Sequence, residues 1–170
     1  MRHRLTLALG ALLGTPALAA DLSIGVEVPR LDVAEYHRPY VAIWIERADQ
    51  SAASNVAVWY DLKKRDAEGV KWLKDLRQWW RRSGRELQFP IDGVTSATRP
   101  VGKQRLALSD KAAPLAALAP GEYRLNVEAA REAGGHEVVS LAFSWPPQKA
   151  EQLQAAGRKE LGEITLELKP

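Results

Sequence analysis

Cysteine is absent from the 170 residues and methionine occurs only at position 1. Without thiols there is no disulfide, no thiolate metal site, no c-type haem attachment and no iron–sulfur cluster. Without a further methionine there is no thioether copper site. The fold must therefore hold by packing alone. Histidine is scarce as well: His3, His37 and His136 are all there are. The first falls in the leader described next, so a histidine-rich metal site has no basis. Long hydrophobic runs are also missing. The apolar stretch at residues 5–13 is too short to span a bilayer, and no run of membrane length follows it.

That stretch belongs to a targeting segment. Arg2, His3 and Arg4 form a basic start, and Ala17-Leu18-Ala19 is a cleavage site of the A-x-A kind. There is no twin-arginine pair and no lipobox cysteine, so the pattern reads as general export to a bacterial periplasm. Residues 1–20 are expected to be a signal peptide, cut near Ala19 or Ala20, and residues 21–170 a single soluble domain that is not embedded in a membrane. Losing Arg2 and Arg4 and no acid lowers the formal charge from +3 to +1. A near-neutral exported chain gives no case for nucleic-acid binding. About 150 residues remain, enough for one domain with a core of its own.

Period-2 alternation is the dominant pattern. It predicts strands over residues 22–28, 40–46, 56–60, 103–109, 123–129, 138–145 and 164–168, separated by Pro- and Gly-containing turns. Residues 40–46 are apolar on both faces, which predicts a central strand or one covered by a neighbouring segment. Residues 70–83 break the pattern. Val70, Leu73, Leu76 and Trp80 follow helical spacing, with Lys71, Lys74, Arg77, Arg81 and Arg82 elsewhere and Gly84 as a stop. The expectation is one amphipathic helix that caps an open end or covers a sheet edge, with Trp80 in the core. Residues 87–91 read as a short extended piece and 148–161 as a loop or short helix. Seven or eight strands, one helix and no βαβ alternation predict a mainly β fold, an antiparallel immunoglobulin-like β-sandwich.

Chemistry is concentrated at Asp92-Gly93-Val94-Thr95-Ser96-Ala97-Thr98, one acid and three hydroxyls in seven residues. No activated nucleophile, triad or carboxylate pair accompanies it, so a hydrolase or glycosidase reading lacks its parts. The chain reads as a carrier or binding protein rather than a catalyst. As a plain turn, Asp92 would make an Asx-type bond and Thr95 would cap it. His37 reads as a hydrogen-bonded residue at a strand entry, or as a ligand, proton relay or phosphate contact, and His136 as exposed. Arg77, Arg81, Arg82 and Arg85 form either a solvated face or a phosphate-holding cluster. Trp79, on the basic side of the helix, is a candidate for a ligand or partner surface.

The loop resembles the attachment motif of FMN-binding domains: Asp, small, apolar, Ser or Thr, Gly, Ala, Thr or Ser. Asp92, Thr95, Ala97 and Thr98 match, and Ser96 stands where that family has Gly. The resemblance implies that a flavin transferase joins FMN by a phosphodiester to Thr98. Asp92 would orient the loop and Arg99 would pair with the phosphodiester. Five segments, the loop among them, together resemble an uncharacterised periplasmic family, domain of unknown function 2271. They are residues 35–44, 71–80, 92–100, 120–123 and 128–132. That likeness implies a β-sandwich in the periplasm, associated with flavin transferases and with membrane redox or metal-uptake proteins. The function expected is a flavin-linked redox or metal-uptake role with covalent FMN. The alternative is a docking module with no cofactor.

Overall fold

Leu22, Ile24, Val26 and Val28 point one way along β1 (Asp21–Val28) and are all buried, while the residues between them face solvent. That one-sided strand lies inside a four-stranded antiparallel sheet in the order β5-β1-β9-β8. Its partners are β5 (Gly102–Ser109), β9 (Glu163–Lys169) and β8 (Glu151–Ala156). The computed structural model describes residues 20–170; residues 1–19 of the proposed leader lie outside the described residues.

The second sheet has five strands in the order β4-β3-β2-β6-β7. They are β2 (Tyr40–Arg47), β3 (Ala53–Tyr60), β4 (Thr95–Ala97), β6 (Gly121–Ala130) and β7 (His136–Trp145). All pairs are antiparallel except β3 with β4, which run parallel. The two sheets enclose the main core, in which Ile24, Val26, Ile43, Trp59, Leu125, Val127, Ile164 and Leu166 are buried together. The β-sandwich is as the alternation predicts, with two more strands than the clear patterns mark. β8 escapes because it is an edge strand on which Leu153 and Ala155 alone turn inward among Gln and Glu. β4 escapes because three residues are too few to show a period.

The helical segment departs from expectation in two ways. It is not one helix: α1 (Glu68–Lys71) passes into a 3-10 turn (Trp72–Asp75), and α2 (Arg77–Arg82) begins only after Leu76 leaves helical geometry at ψ 72°. Nor does it cover an edge or an open end. It lies on the outer face of the five-stranded sheet, where Leu73, Leu76 and Trp79 pack on Ala42, Trp44, Val58 and Tyr60. This second core explains why β2 is apolar on both faces. The break at Leu76 also resets the phase. Trp79 becomes fully buried and Trp80 half-buried, the reverse of what continuous helical spacing gives.

Polar groups of the sheet fasten this layer. Glu128, buried on β6, accepts the backbone N–H groups of Gln78 (2.9 Å) and Trp79 (2.7 Å), the cap that Leu76 has no side chain to supply. Asn55 accepts from Trp79 Nε1 at 2.7 Å, and Glu46 accepts from Arg82 Nε at 3.1 Å.

On the far side, Glu137 of β7 accepts four backbone N–H groups, those of Arg158, Lys159, Glu160 and Leu161, at 2.6–3.0 Å. Burial opposes its ionisation, but the four donors outweigh it and hold the carboxyl below the usual range. A folded-state value below the unfolded one stabilises above the ordinary glutamate range and is lost as pH falls through the lowered value. Glu137→Gln should therefore cost about 1–2 kcal/mol at neutral pH, and the gap to the parent should narrow in acid, below the ordinary glutamate range. Denaturant unfolding at neutral and at acid pH checks this; a gap that stays constant contradicts it.

Candidate functional site

The seven-residue stretch is a turn followed by a strand. The Thr95 hydroxyl accepts from Ile91 N–H at 3.0 Å and donates to the Ile91 carbonyl at 2.9 Å, while Gly93 takes a positive φ of 70°. Thr95 thus caps the turn as the sequence predicts. Asp92 does not join in: it is exposed and makes no side-chain hydrogen bond among the described residues. From Thr95 the chain runs as β4, in register with Val58, Trp59 and Tyr60. Ser96 is a strand residue opposite Trp59 with no left-handed φ, so a residue other than Gly fits here without strain. Its hydroxyl accepts from Arg99 Nη2 at 3.3 Å.

Of the three hydroxyls, Thr98 alone makes no hydrogen bond among the described residues. It is half-buried just past the end of β4 and lines a cavity of about 480 Å³. Four strands of the five-stranded sheet meet at this end: β2 begins at Tyr40, β3 ends at Tyr60, β4 at Ala97 and β6 at Ala130. Their flanking segments supply the walls. Tyr36, His37 and Arg38 come from the stretch before β2, Asp61 and Lys64 from the one after β3. Arg131 and Glu132 follow β6, and Trp72 and Asp75 belong to the helical layer.

The cations of the cavity are largely spoken for, while of its carboxylates Asp61 and Asp75 have no basic partner among the described residues. Arg131 donates twice to Glu160, at 2.8 and 3.1 Å, in a pair that is almost fully buried. Lys64 faces Glu132 at 3.6 Å, and His37 stands between Glu35 (3.2 Å) and Glu132 (3.9 Å). Arg38 has neither an acidic partner nor a hydrogen bond among the described residues. Burial pushes the Tyr36 hydroxyl above the usual phenol range, with Arg131 and Arg38 acting the other way. Burial does the same to Tyr40, opposed by the backbone N–H of Asp61. Tyr40 Oη is shut off from solvent yet has no partner that meets hydrogen-bond geometry.

Several of the expected site residues lie elsewhere. Trp79 is fully buried and spends its indole N–H on Asn55, so it is core and not a ligand surface. Arg99 does not line the cavity; its guanidinium covers the Trp59 ring at 5.3 Å from the centroid. None of Arg77, Arg81, Arg82 and Arg85 reaches the cavity either, and Arg82 is paired with buried Glu46. His136 is not merely exposed: Nε2 contacts the buried Glu128 carboxylate. Sequence reasoning missed Tyr40 and Arg131 as neighbours of Thr98. Only the pairing of β2, β3, β4 and β6 brings them together. The run Tyr36-His37-Arg38 carried the one local signal.

An unpartnered buried hydroxyl costs stability unless a ligand uses it. Tyr40→Phe should therefore leave the ligand-free protein unchanged within about 0.5 kcal/mol, or more stable. A loss well beyond that in thermal or denaturant unfolding would show that the hydroxyl already has a partner.

Among the described residues no helix is long and apolar enough to cross a membrane. Comparison with curated proteins and with solved structures finds no match. The model of a protein family does match, over residues 21–163, and that span takes in the five-stranded sheet, β1, β5 and β8 of the other sheet, the helical layer and the whole cavity lining. The chain belongs to this family, DUF2271, described as predicted periplasmic proteins.

Proposed function

We propose that this periplasmic protein is a flavin carrier, with FMN joined by a phosphodiester to Oγ1 of Thr98. The observation that carries the reading is the hydroxyl inventory of the loop. Thr95 is committed to Ile91 and Ser96 to Arg99, while Thr98 is uncommitted and opens on a cavity of about 480 Å³. That volume is within the ordinary range for small-molecule sites, about 300–1,000 Å³. Ser96 lies in an extended strand, where no Gly-only conformation is required, so its departure from the motif brings no strain.

The chain supplies an acceptor and not a catalyst. In the transfer, a bond forms between Thr98 oxygen and the FMN phosphorus of FAD as the pyrophosphate bond breaks. AMP leaves, and the hydroxyl proton passes to a base of the transferase. Asp92, exposed and unbonded one turn away, is free to meet that enzyme. Once attached, the flavin carries the electron chemistry, and the protein sets its position and surroundings. The redox partner would be a membrane redox or metal-uptake protein.

Protein co-expressed with a flavin transferase should keep flavin fluorescence on a denaturing gel. Thr98→Ala should abolish the band while Thr95→Ala and Ser96→Ala keep it. Fluorescence retained in Thr98→Ala would overturn the assignment of the acceptor. No band in the parent would leave the docking module without a cofactor.

A further inference from the structure

Resting on the flavin reading above, we infer that the ring system of the Thr98-borne FMN folds back into the cavity and stacks on Trp72, with Arg38 facing its anionic groups. The first observation is where the tryptophans are. Trp44, Trp59, Trp79 and Trp145 are buried and Trp80 is half-buried, while Trp72 is 44% exposed. Tyr36 is the other aromatic among the exposed large hydrophobic residues, and both line this one cavity. Leaving an indole in water forfeits the burial that the other five exploit. Trp72 has a π-face to offer to a flat heteroaromatic ring. Lys74 already stands over the indole, 5.8 Å from its centroid.

The second observation is electrostatic. Arg131, Lys64 and His37 each face a carboxylate, whereas Arg38 is the cation of the lining left without one among the described residues. A phosphodiester on Thr98 brings one negative charge to the same cavity. A planar guanidinium meets such a group with two parallel hydrogen bonds. The third is reach. Thr98 is itself part of the lining, so a ligand tethered there is anchored at the cavity wall.

An indole in contact with an isoalloxazine quenches its emission by electron transfer. In the flavin-loaded protein, emission should be weak in the native state and rise severalfold on unfolding in guanidinium. Trp72→Ala should raise native emission severalfold. Leu62→Ala, equally exposed but outside the lining, should not change it. Arg38→Gln should leave the emission low but raise its sensitivity to added iodide, because the ring is held less tightly. Intact mass, with an adduct of about 438 Da, reports attachment separately. An adduct whose emission is the same native and unfolded, or unchanged in Trp72→Ala, overturns this inference and leaves the carrier reading standing. Absence of the adduct overturns the carrier reading. The cavity is then tested by titrating free FMN into the unmodified protein. Quenched binding that weakens about tenfold in Trp72→Ala, the scale of one lost stacking partner, supports the ring seat; no binding overturns it.

Discussion

The five-stranded sheet is covered on both faces, and everything at the site depends on how its outer cover is held. A two-sided sheet needs a third layer, and that layer here is a broken helical segment with little helical stability of its own. Glu128 supplies the missing cap from the sheet, through two short hydrogen bonds to α2. Glu46 and Asn55 add further anchors. Such groups are costly to bury and are tolerated because their oxygens are met by donors. Gly69 shows how close the layer comes: a Cβ there would lie 2.1 Å from the Asp61 carbonyl oxygen and 3.3 Å from Tyr40 Oη. The same segment carries Trp72 and Asp75 to the cavity, so the packing of the layer and the shape of the cavity are one problem.

The layer also explains which parts were legible in the chain. One-sided strands such as β1 and β7 announce themselves, because every second residue is buried. The apolar run of β2 rightly signalled a strand with both faces covered. It could not say that the covering segment was the helical one, since that depends on the order of strands. The break at Leu76 was not legible either. Spacing alone extends the helix smoothly from Val70 to Ser83, and nothing local says that Glu128, fifty residues on, will cap a second start. Hence Trp79 and Trp80 exchange roles.

The loop shows the same division. Thr95 as a capping residue follows from turn chemistry and is found. Arg99 beside Thr98 suggested a phosphate partner by adjacency, yet adjacent residues of an extended chain point to opposite sides. Arg99 instead closes the edge of the core over Trp59, and the cation of the lining without an acidic partner among the described residues is Arg38, sixty residues earlier. Position along the chain marked the proposed acceptor but not its surroundings.

What the account asserts at its centre is that one particular oxygen carries the cofactor. The direct measurement is tandem mass spectrometry of the tryptic peptide spanning residues 86–103, taken from protein recovered from the periplasm of cells that express a flavin transferase. The account predicts the mass of one FMN less one water on Thr98, with Thr95 and Ser96 unmodified. The adduct on either of those two hydroxyls, or an unmodified peptide from transferase-positive cells, would contradict it.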